Sequence, residues 1–287
     1  MTQRPGYEVT GGADLAYWAG DGAFRLPGDG GEALATVPAG DGIHAVLAEP
    51  GESLPAGGGD RAWERAQAAE RAFWQRWRSM AVYQRVSLEA YWAGVVEKTG
   101  GPFPPGKVLD VGCGPVSVLN FFRGEGVRPL GIDPLASFYH REKLVETRPG
   151  WEPAPMVSLP AERLPFPDRY FDTVLCFNVL DHVRHPRGVI GEIVRVARPG
   201  GNVRVFVHTF SRWAKRLLFF DTPHVNHWDR AEFRRLLEGA GLRVESDLHE
   251  RKTFDVPPGL LNALKHLPYR LAARVMFTDY YQLEVGA

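Results

Sequence analysis

Short apolar runs alternate with amphipathic segments along most of the chain, and this alternation sets the expected architecture. The amphipathic segments predict helices at residues 116–123, 137–146, 186–197, 230–240 and 259–276. The apolar runs predict strands at residues 107–111, 129–133, 155–159, 171–177, 203–208, 242–248 and 279–285. Alternating strands and helices predict a parallel sheet covered by helices on both faces.

The first 59 residues differ from the rest because they are dense in glycine and proline. Short apolar runs lie between repeated Gly-Asp-Gly turns, a pattern that predicts a small β-meander. The same composition is also typical of a flexible tail, although Tyr17, Trp18 and Phe24 argue against that alternative.

Residues 60–100 are rich in alanine, glutamate, arginine and aromatic residues at helical spacing, which predicts one or two amphipathic helices. The run "GGPFPPG" at residues 100–106 ends them and marks the start of the main domain. Because this segment holds more aromatic side chains than packing needs, we interpret it as a helical lid segment. The alternative is a helix pair docked on the sheet.

Charge and composition narrow the class of partner. The chain has 34 basic and 34 acidic residues, so no net field draws it to nucleic acid or anionic lipid, and a small molecule is the expected partner. No apolar run of membrane-spanning length and no signal peptide are recognisable, which favours a cytoplasmic location without membrane insertion. With only Cys113 and Cys176, we expect neither a disulfide framework nor a thiolate zinc site.

The stretch "KVLDVGCGPVSVLNFF" carries the strongest chemical signal, a strand that ends in a glycine turn. Gly112 and Gly114 could open a dinucleotide site, but Ser117 stands where a third glycine is expected. Asp110 at the mouth of the turn repels a diphosphate and favours an ammonium group. S-adenosylmethionine carries such a group and no phosphate. Asp133 in "RPLGIDP" follows the next strand and can accept both ribose hydroxyls.

Four motifs together resemble the ordered motifs of class I S-adenosylmethionine-dependent methyltransferases. They are "VLDVGCGP", "GIDP", "LPFPDRYFDTVLCFNVLDHV" and "EIVRVARPGGNVRVFV", within residues 106–250. The resemblance implies an α/β, doubly wound, Rossmann-like sheet of seven mostly parallel strands with an antiparallel last strand. It also implies a cofactor domain at residues 101–287 with a cap insertion at about 254–277.

The resemblance carries the cofactor site onto matching positions. The implied cofactor residues are Asp110, Gly112, Cys113, Gly114, Asp133, Pro134, Ala161, Glu162, Asn178 and Val179. Pro160 departs from the family pattern, because an aspartate that accepts from the adenine amine often stands there. Glu162 or a backbone carbonyl is the expected substitute.

His182, His208 and His227 are the candidate general bases, since they follow predicted strands or lie in the loop "DTPHVNHWD". Each could equally be a surface or core histidine. The same loop offers Asp221, His224, His227 and Asp229 as metal ligands, but its spacing is unspecific and we predict no metal.

The expected function is methyl transfer from S-adenosylmethionine to an oxygen, nitrogen or carbon nucleophile of a small molecule. A catalytically inactive cofactor-binding regulator is the main alternative. A nicotinamide-dependent oxidoreductase is a weaker one, because Asp110 and the missing third glycine disfavour it. The oligomeric state stays open, with a homodimer one option.

Overall fold

One mixed sheet organises the chain. The computed structural model describes residues 8–10, 36–40, 43–46, 60–80, 87–164, 166–217, 225–252 and 274–286. The strands in this part of the chain are β1 (Glu8–Thr10), β2 (Thr36–Gly40), β3 (Ile43–Val46), β4 (Gly106–Val111), β5 (Val127–Ile132), β6 (Met156–Ser158), β7 (Phe171–Phe177), β8 (Ala197–Phe210), β9 (Leu242–Arg251) and β10 (Met276–Val285).

The strands lie in the order β2-β3-β1-β6-β5-β4-β7-β8-β10-β9. The neighbours from β6 to β8 pair in parallel, whereas β10 runs antiparallel to both β8 and β9. The predicted seven-stranded α/β sheet with an antiparallel last strand is therefore confirmed. At the other edge, β1 pairs antiparallel with both β6 and β3, so the N-terminal strands continue the same sheet.

Five α-helices cover the described part of the sheet: α1 (Asp60–Trp77), α2 (Leu88–Lys98), α3 (Ala136–Arg141), α4 (Pro186–Val196) and α5 (Arg230–Glu238). Two of them begin at a side-chain cap. Ser87 caps α2 by accepting from the Ala90 N–H, and Asp229 with Glu232 forms a capping box at α5. No described helix is long and apolar enough to cross a membrane.

Side chains from alternate strand positions form separate cores on the two faces. Leu109 and Val111 of β4 point into the larger cluster, which includes buried residues of α4 and α5. Val108, one residue earlier, belongs to the cluster that contains Trp92 of α2. The period of two thus places Asp110, like Val108, on the α2 face of the sheet.

The prediction of a helix at residues 116–123 is wrong, because this segment forms only a short 3₁₀ helix, Val118–Asn120. Asn120 explains the difference, since its side chain bonds other segments instead of facing a helix surface. Its amide nitrogen donates to the Glu146 carbonyl at 3.0 Å, and its amide oxygen accepts from the Ala154 N–H at 2.7 Å. The predicted helix at 259–276 lies mostly outside the described residues.

Replacing Asn120 by alanine should destabilise the fold. The side chain is fully buried, and its loss leaves the Ala154 N–H and the Glu146 carbonyl without these partners. We expect a loss of about 2 to 4 kcal/mol in the free energy of unfolding, measured by urea denaturation. Glu125→Ala, a change at an exposed position, is the control and should stay within about 0.5 kcal/mol of wild type. Equal stability of Asn120→Ala and wild type would contradict this explanation.

Candidate active site

A pocket opens at the carboxyl ends of β4, β5 and β7, where parallel α/β sheets bind ligands. Its empty volume, which includes space continuous with solvent, is about 620 Å³. The walls contain Gln67, Glu70, Gly112, Ile132, Asp133, Pro134, Leu135, Tyr139, Leu159, Pro160, Ala161, Glu162, Asn178, Val179, His182 and Val183.

Both glycines of the turn adopt a backbone conformation that favours glycine, and the first has no room for a side chain. Gly112 and Gly114 have φ angles of +67° and +57°, which β-carbon-bearing residues rarely adopt. A β-carbon on Gly112 would lie 2.5 Å from Cγ2 of Val179. The Gly114 N–H donates to Oδ2 of Asp133 at 3.1 Å, so the turn and the end of β5 are joined directly.

Two buried carboxyl groups lie behind and beside this turn. Asp110 is 3% exposed and accepts a hydrogen bond from the Ser117 hydroxyl at 2.6 Å. Asp133 is 8% exposed and accepts from the N–H groups of Gly114 and Leu135. Burial raises the pKa of each carboxyl to about 7, and Asp133 adds a smaller repulsion to Asp110. A cationic ligand at this place would favour the ionised forms.

Helix α1 adds polar groups that the sequence interpretation missed. Gln67 and Glu70 line the pocket, and Glu70 is fixed by a hydrogen bond of 2.6 Å from Trp74 Nε1. Glu70 also contributes to the raised pKa of Asp133, so a third carboxylate faces the same space. The only signal in the sequence was the Glu-to-Trp spacing of four residues, which places both side chains on one helix face.

The end of β7 forms the wall opposite the glycine turn. Asn178 has a φ angle of +59°, and its buried side-chain oxygen has no hydrogen-bond partner among the described residues. A strained residue with an unsatisfied buried acceptor is typical of a ligand site. Glu162 accepts from the Arg184 N–H at 3.2 Å, which joins the two loops of this wall.

The structure brings eight of the thirteen predicted site residues onto the pocket wall. They are Gly112, Asp133, Pro134, Ala161, Glu162, Asn178, Val179 and His182. Asp110 and Gly114 lie next to the wall through the contacts described above. Cys113 instead packs into an apolar cluster with Tyr139 and Leu144, and its N–H donates to the Ile132 carbonyl.

Two of the three candidate bases lie further along the same edge of the sheet. His208, near the end of β8, contacts Thr278 and Lys252. His227 packs its ring against Phe210, 5.4 Å between ring centres. The loop that carries His227 is tied to the end of β7, because the Asn226 amide donates to the Val183 carbonyl at 2.7 Å.

Of the candidate metal ligands, Asp221 and His224 lie outside the described residues, whereas Asp229 caps α5 and His227 packs against Phe210. Within the described ranges, no group of three or more His, Cys, Asp or Glu side chains could hold a metal ion.

The pocket residues fit S-adenosylmethionine in two independent ways. The buried side-chain oxygen of Asn178 has no donor among the described residues, and a ligand can supply one. The carboxyl groups of Asp110 and Asp133 complement an α-ammonium group and ribose hydroxyls respectively.

The sheet order and the acidic glycine turn define a Rossmann-like fold of the class I methyltransferase type. A family model described as a methyltransferase domain matches residues 83–247, more than half of the chain. The chain therefore belongs to the methyltransferase-domain family, whose class depends on S-adenosylmethionine.

Curated relatives share part of the chain. A ubiquinone biosynthesis O-methyltransferase of Klebsiella pneumoniae (strain 342) is 32% identical over 124 residues, 43% of this chain and 50% of that protein. A ubiquinone/menaquinone biosynthesis C-methyltransferase of Burkholderia mallei (strain SAVP1) is 31% identical over 189 residues, 60% of this chain and 73% of that protein. The chain thus spans about half the length of the first of these relatives.

Solved structures agree on the fold. The phosphoethanolamine N-methyltransferase 2 of Haemonchus contortus in complex with S-adenosyl-L-methionine superimposes with a TM-score of 0.51 at 14% identity. The match covers 85% of this chain and 64% of that chain.

Neutralising Asp110 should stabilise the ligand-free protein, with a definite pH dependence. The pKa of Asp110 is about 7 when folded against an ordinary 3.8, so between these values the folded state holds the proton more tightly. Stability conferred by this group therefore falls as the pH rises from about 4 to about 7. Asp110→Asn removes that loss, so its melting temperature should exceed the wild-type value at about pH 8 and match it near pH 4.

Asp168→Asn is the control, because Asp168 is an exposed carboxylate, and it should give no such gain. A gain for Asp110→Asn that is independent of pH, or no gain at all, would contradict the burial of an uncompensated charge.

Proposed function

We propose that this protein transfers a methyl group from S-adenosylmethionine to an oxygen, nitrogen or carbon nucleophile of a small molecule. The single observation that supports this most strongly is the pair of buried carboxyl groups, Asp110 and Asp133, at a glycine turn that no cation reaches among the described residues of the pocket wall. A cationic nucleoside without phosphate suits this arrangement, whereas a dinucleotide diphosphate would be repelled.

Each part of the pocket takes one part of the cofactor in this proposal. Asp110 and the turn at Gly112 and Gly114 hold the amino-acid end, and Asp133 accepts from the ribose hydroxyls. Ala161 and Glu162 border the adenine. Pro160 lines the same wall, so the adenine amine must find its acceptor elsewhere.

The cofactor, when bound, supplies an electrophilic methyl group on a positively charged sulfur. The protein's part is to position and to exclude water. Asn178 and Val179 close the pocket at the end of β7, and His182 on the same wall is the nearest candidate base. The pocket wall is mostly apolar around these groups, which strengthens the attraction between a carboxylate and a cationic ligand. Alignment at near-attack distance can supply on the order of 7 kcal/mol of the lowered barrier.

The remaining assignments are parts of the same proposal. Within residues 60–100, helix α1 acts as the lid, since Gln67 and Glu70 line the pocket, whereas α2 packs on the sheet. Residues 254–277 act as the cap over the acceptor. The protein works in the cytoplasm on a small molecule, as a monomer or a homodimer, without nucleic acid.

Calorimetry with S-adenosylhomocysteine tests the cofactor assignment. We expect micromolar or tighter binding, and NADH run in parallel should not bind. Binding of NADH in place of S-adenosylhomocysteine would favour the alternative function, a nicotinamide-dependent oxidoreductase. Methyl-labelled S-adenosylmethionine with a metabolite extract then separates an enzyme from an inactive binder, because only an enzyme transfers the label.

Gly112→Ala should abolish cofactor binding while the fold survives. The new β-carbon would meet Val179 at 2.5 Å in a backbone conformation that alanine disfavours. We expect the dissociation constant for S-adenosylhomocysteine to be at least about 100-fold larger, a loss of about 3 kcal/mol in binding free energy.

Gly191→Ala, on the exposed side of α4 with open space around a β-carbon, is the matched control and should bind normally. If Gly112→Ala bound S-adenosylhomocysteine as tightly as wild type, the glycine turn would not be part of the cofactor site.

A further inference from the structure

Three side chains form a polar cluster at the ends of β8, β9 and β10, beyond the cofactor pocket. His208 places Nδ1 3.1 Å from the Thr278 hydroxyl oxygen and Nε2 3.3 Å from the Lys252 ammonium nitrogen. His208 and Thr278 are paired residues of β8 and β10. The Lys252 N–H donates to the Met276 carbonyl, which holds this lysine at the end of β9. We call these three residues the Lys252 cluster.

The two nitrogen bases in this cluster constrain each other's protonation. A charged lysine has only donors, so the contact with Nε2 requires a neutral His208 whose Nε2 accepts. The other ring nitrogen then carries the proton and donates to Thr278. If His208 were charged, Lys252 would have to be neutral, because two cations at this distance repel. The pair therefore holds at most one extra proton, which either residue can carry.

The groups around the cluster do not neutralise Lys252. Glu250, the acidic residue nearest in sequence, pairs with Lys98 of α2 at 2.5 Å. The same Lys98 lies over the ring of Tyr280, 5.1 Å from its centre. No ion pair joins Lys252 to a carboxylate within the described part of the chain. Burial lowers the pKa of Lys252 from its ordinary value, as expected for an amine without a counter-ion.

Strand register places the cluster on the same face of the sheet as Asp110. Asp110 pairs with Leu175 of β7, and two residues on, Phe177 pairs with Phe206 of β8. His208 follows Phe206 by two residues and so points to that face. The Phe206 carbonyl accepts from the Asn178 N–H at 2.9 Å, so β8 is the immediate neighbour of the strand end that lines the cofactor pocket. Adjacent strands lie about 5 Å apart, which is the scale of a small acceptor molecule.

We propose that the Lys252 cluster is an oxyanion-binding site that holds the acceptor of the proposed methyl transfer as the anion of an acidic hydroxyl group, such as a phenol or an enol. This inference rests on the proposed function. When Lys252 and His208 are both neutral, the acceptor O–H bond breaks and its proton passes to the lysine nitrogen. The products are an ammonium group and an oxyanion that stay in contact. His208 positions Lys252 by accepting from it, and Thr278 fixes the histidine.

The chemistry of the cluster selects the acceptor class. One nearby cation lowers the pKa of an acid by about 1 to 3 units. A phenol, with an ordinary pKa of about 10, then has a pKa of about 7 to 9, so its anion is accessible near neutral pH, whereas an alkyl alcohol stays protonated. Phe210 lies two residues after His208 on β8 and is only partly buried, so its ring suits a planar acceptor.

Absorbance of bound 4-nitrophenol tests the proposal, because its anion is yellow and its neutral form is not. The probe is titrated with the full-length protein at a pH where the free probe is mostly protonated, with and without S-adenosylhomocysteine. Wild-type protein should bind it as the anion and lower its pKa by about one unit or more, a tenfold change. Lys252→Met should lose this ionisation at unchanged melting temperature, and Lys252→Arg should keep most of it.

Lys107→Met is the matched control, because Lys107 lies near the start of β4, at the opposite end of the sheet, over the ring of Tyr170. It should ionise the probe like wild type. Three results would overturn the oxyanion site. Wild type could bind the neutral form of the probe, or it could fail to bind the probe at all. Lys252→Met and Lys107→Met could also lose ionisation of the probe to the same extent. Failure of S-adenosylhomocysteine to bind counts separately against the proposed function, since the arm without it still decides the fate of the probe.

Discussion

The chemistry of the pocket depends on two carboxyl groups that are buried at a glycine turn. Among the described residues, no cation lies beside them. Asp110 and Asp133 each have a pKa raised to about 7 by burial. Such an arrangement costs stability in the ligand-free protein, because an ionised group is held away from water. It becomes favourable when a positively charged ligand enters. In the function that we propose, the cofactor site therefore gives up stability in the free state for selectivity towards a cation.

The sheet makes this placement possible. Alternation along β4 sends Leu109 and Val111 into one core and turns Asp110 to the other face, at the strand end. The Gly114 N–H then reaches the Asp133 carboxylate, so the exits of β4 and β5 are joined by one hydrogen bond. Because β7 and β8 continue the parallel order, Asn178 and His208 follow along the same edge. Cofactor and acceptor chemistry are thus arranged across four neighbouring strands.

The sequence predicted the strands well, because each buried strand leaves an apolar run that no other element in this chain resembles. Phe171–Phe177 was predicted with its observed bounds, and β8 extends beyond the predicted residues 203–208 at both ends. The helix at residues 116–123 failed for a tertiary reason: Asn120 bonds Glu146 and Ala154, and no local pattern reveals partners so distant in sequence.

The site residues also divide into those that the sequence reveals and those that only tertiary packing reveals. Acidic and glycine residues at strand ends were visible as motifs, whereas Glu70 and Lys252 were not. Both are charged residues in segments rich in charge, and only packing of α1 and the pairing of β9 with β10 bring them to the sheet edge. Conversely, Cys113 lies inside the glycine motif but faces an apolar cluster, so proximity in sequence does not ensure contact with a ligand.

Proton release on cofactor binding tests the central claim most directly. Calorimetric titration of S-adenosylhomocysteine near pH 7, repeated in two buffers with different ionisation enthalpies, measures the protons exchanged. The α-ammonium group of the ligand favours ionised Asp110, and its ribose hydroxyls favour ionised Asp133. Binding should therefore release protons, and affinity should rise as the pH is raised from about 6 to about 8. Proton uptake, or an affinity that is constant over this range, would contradict the account.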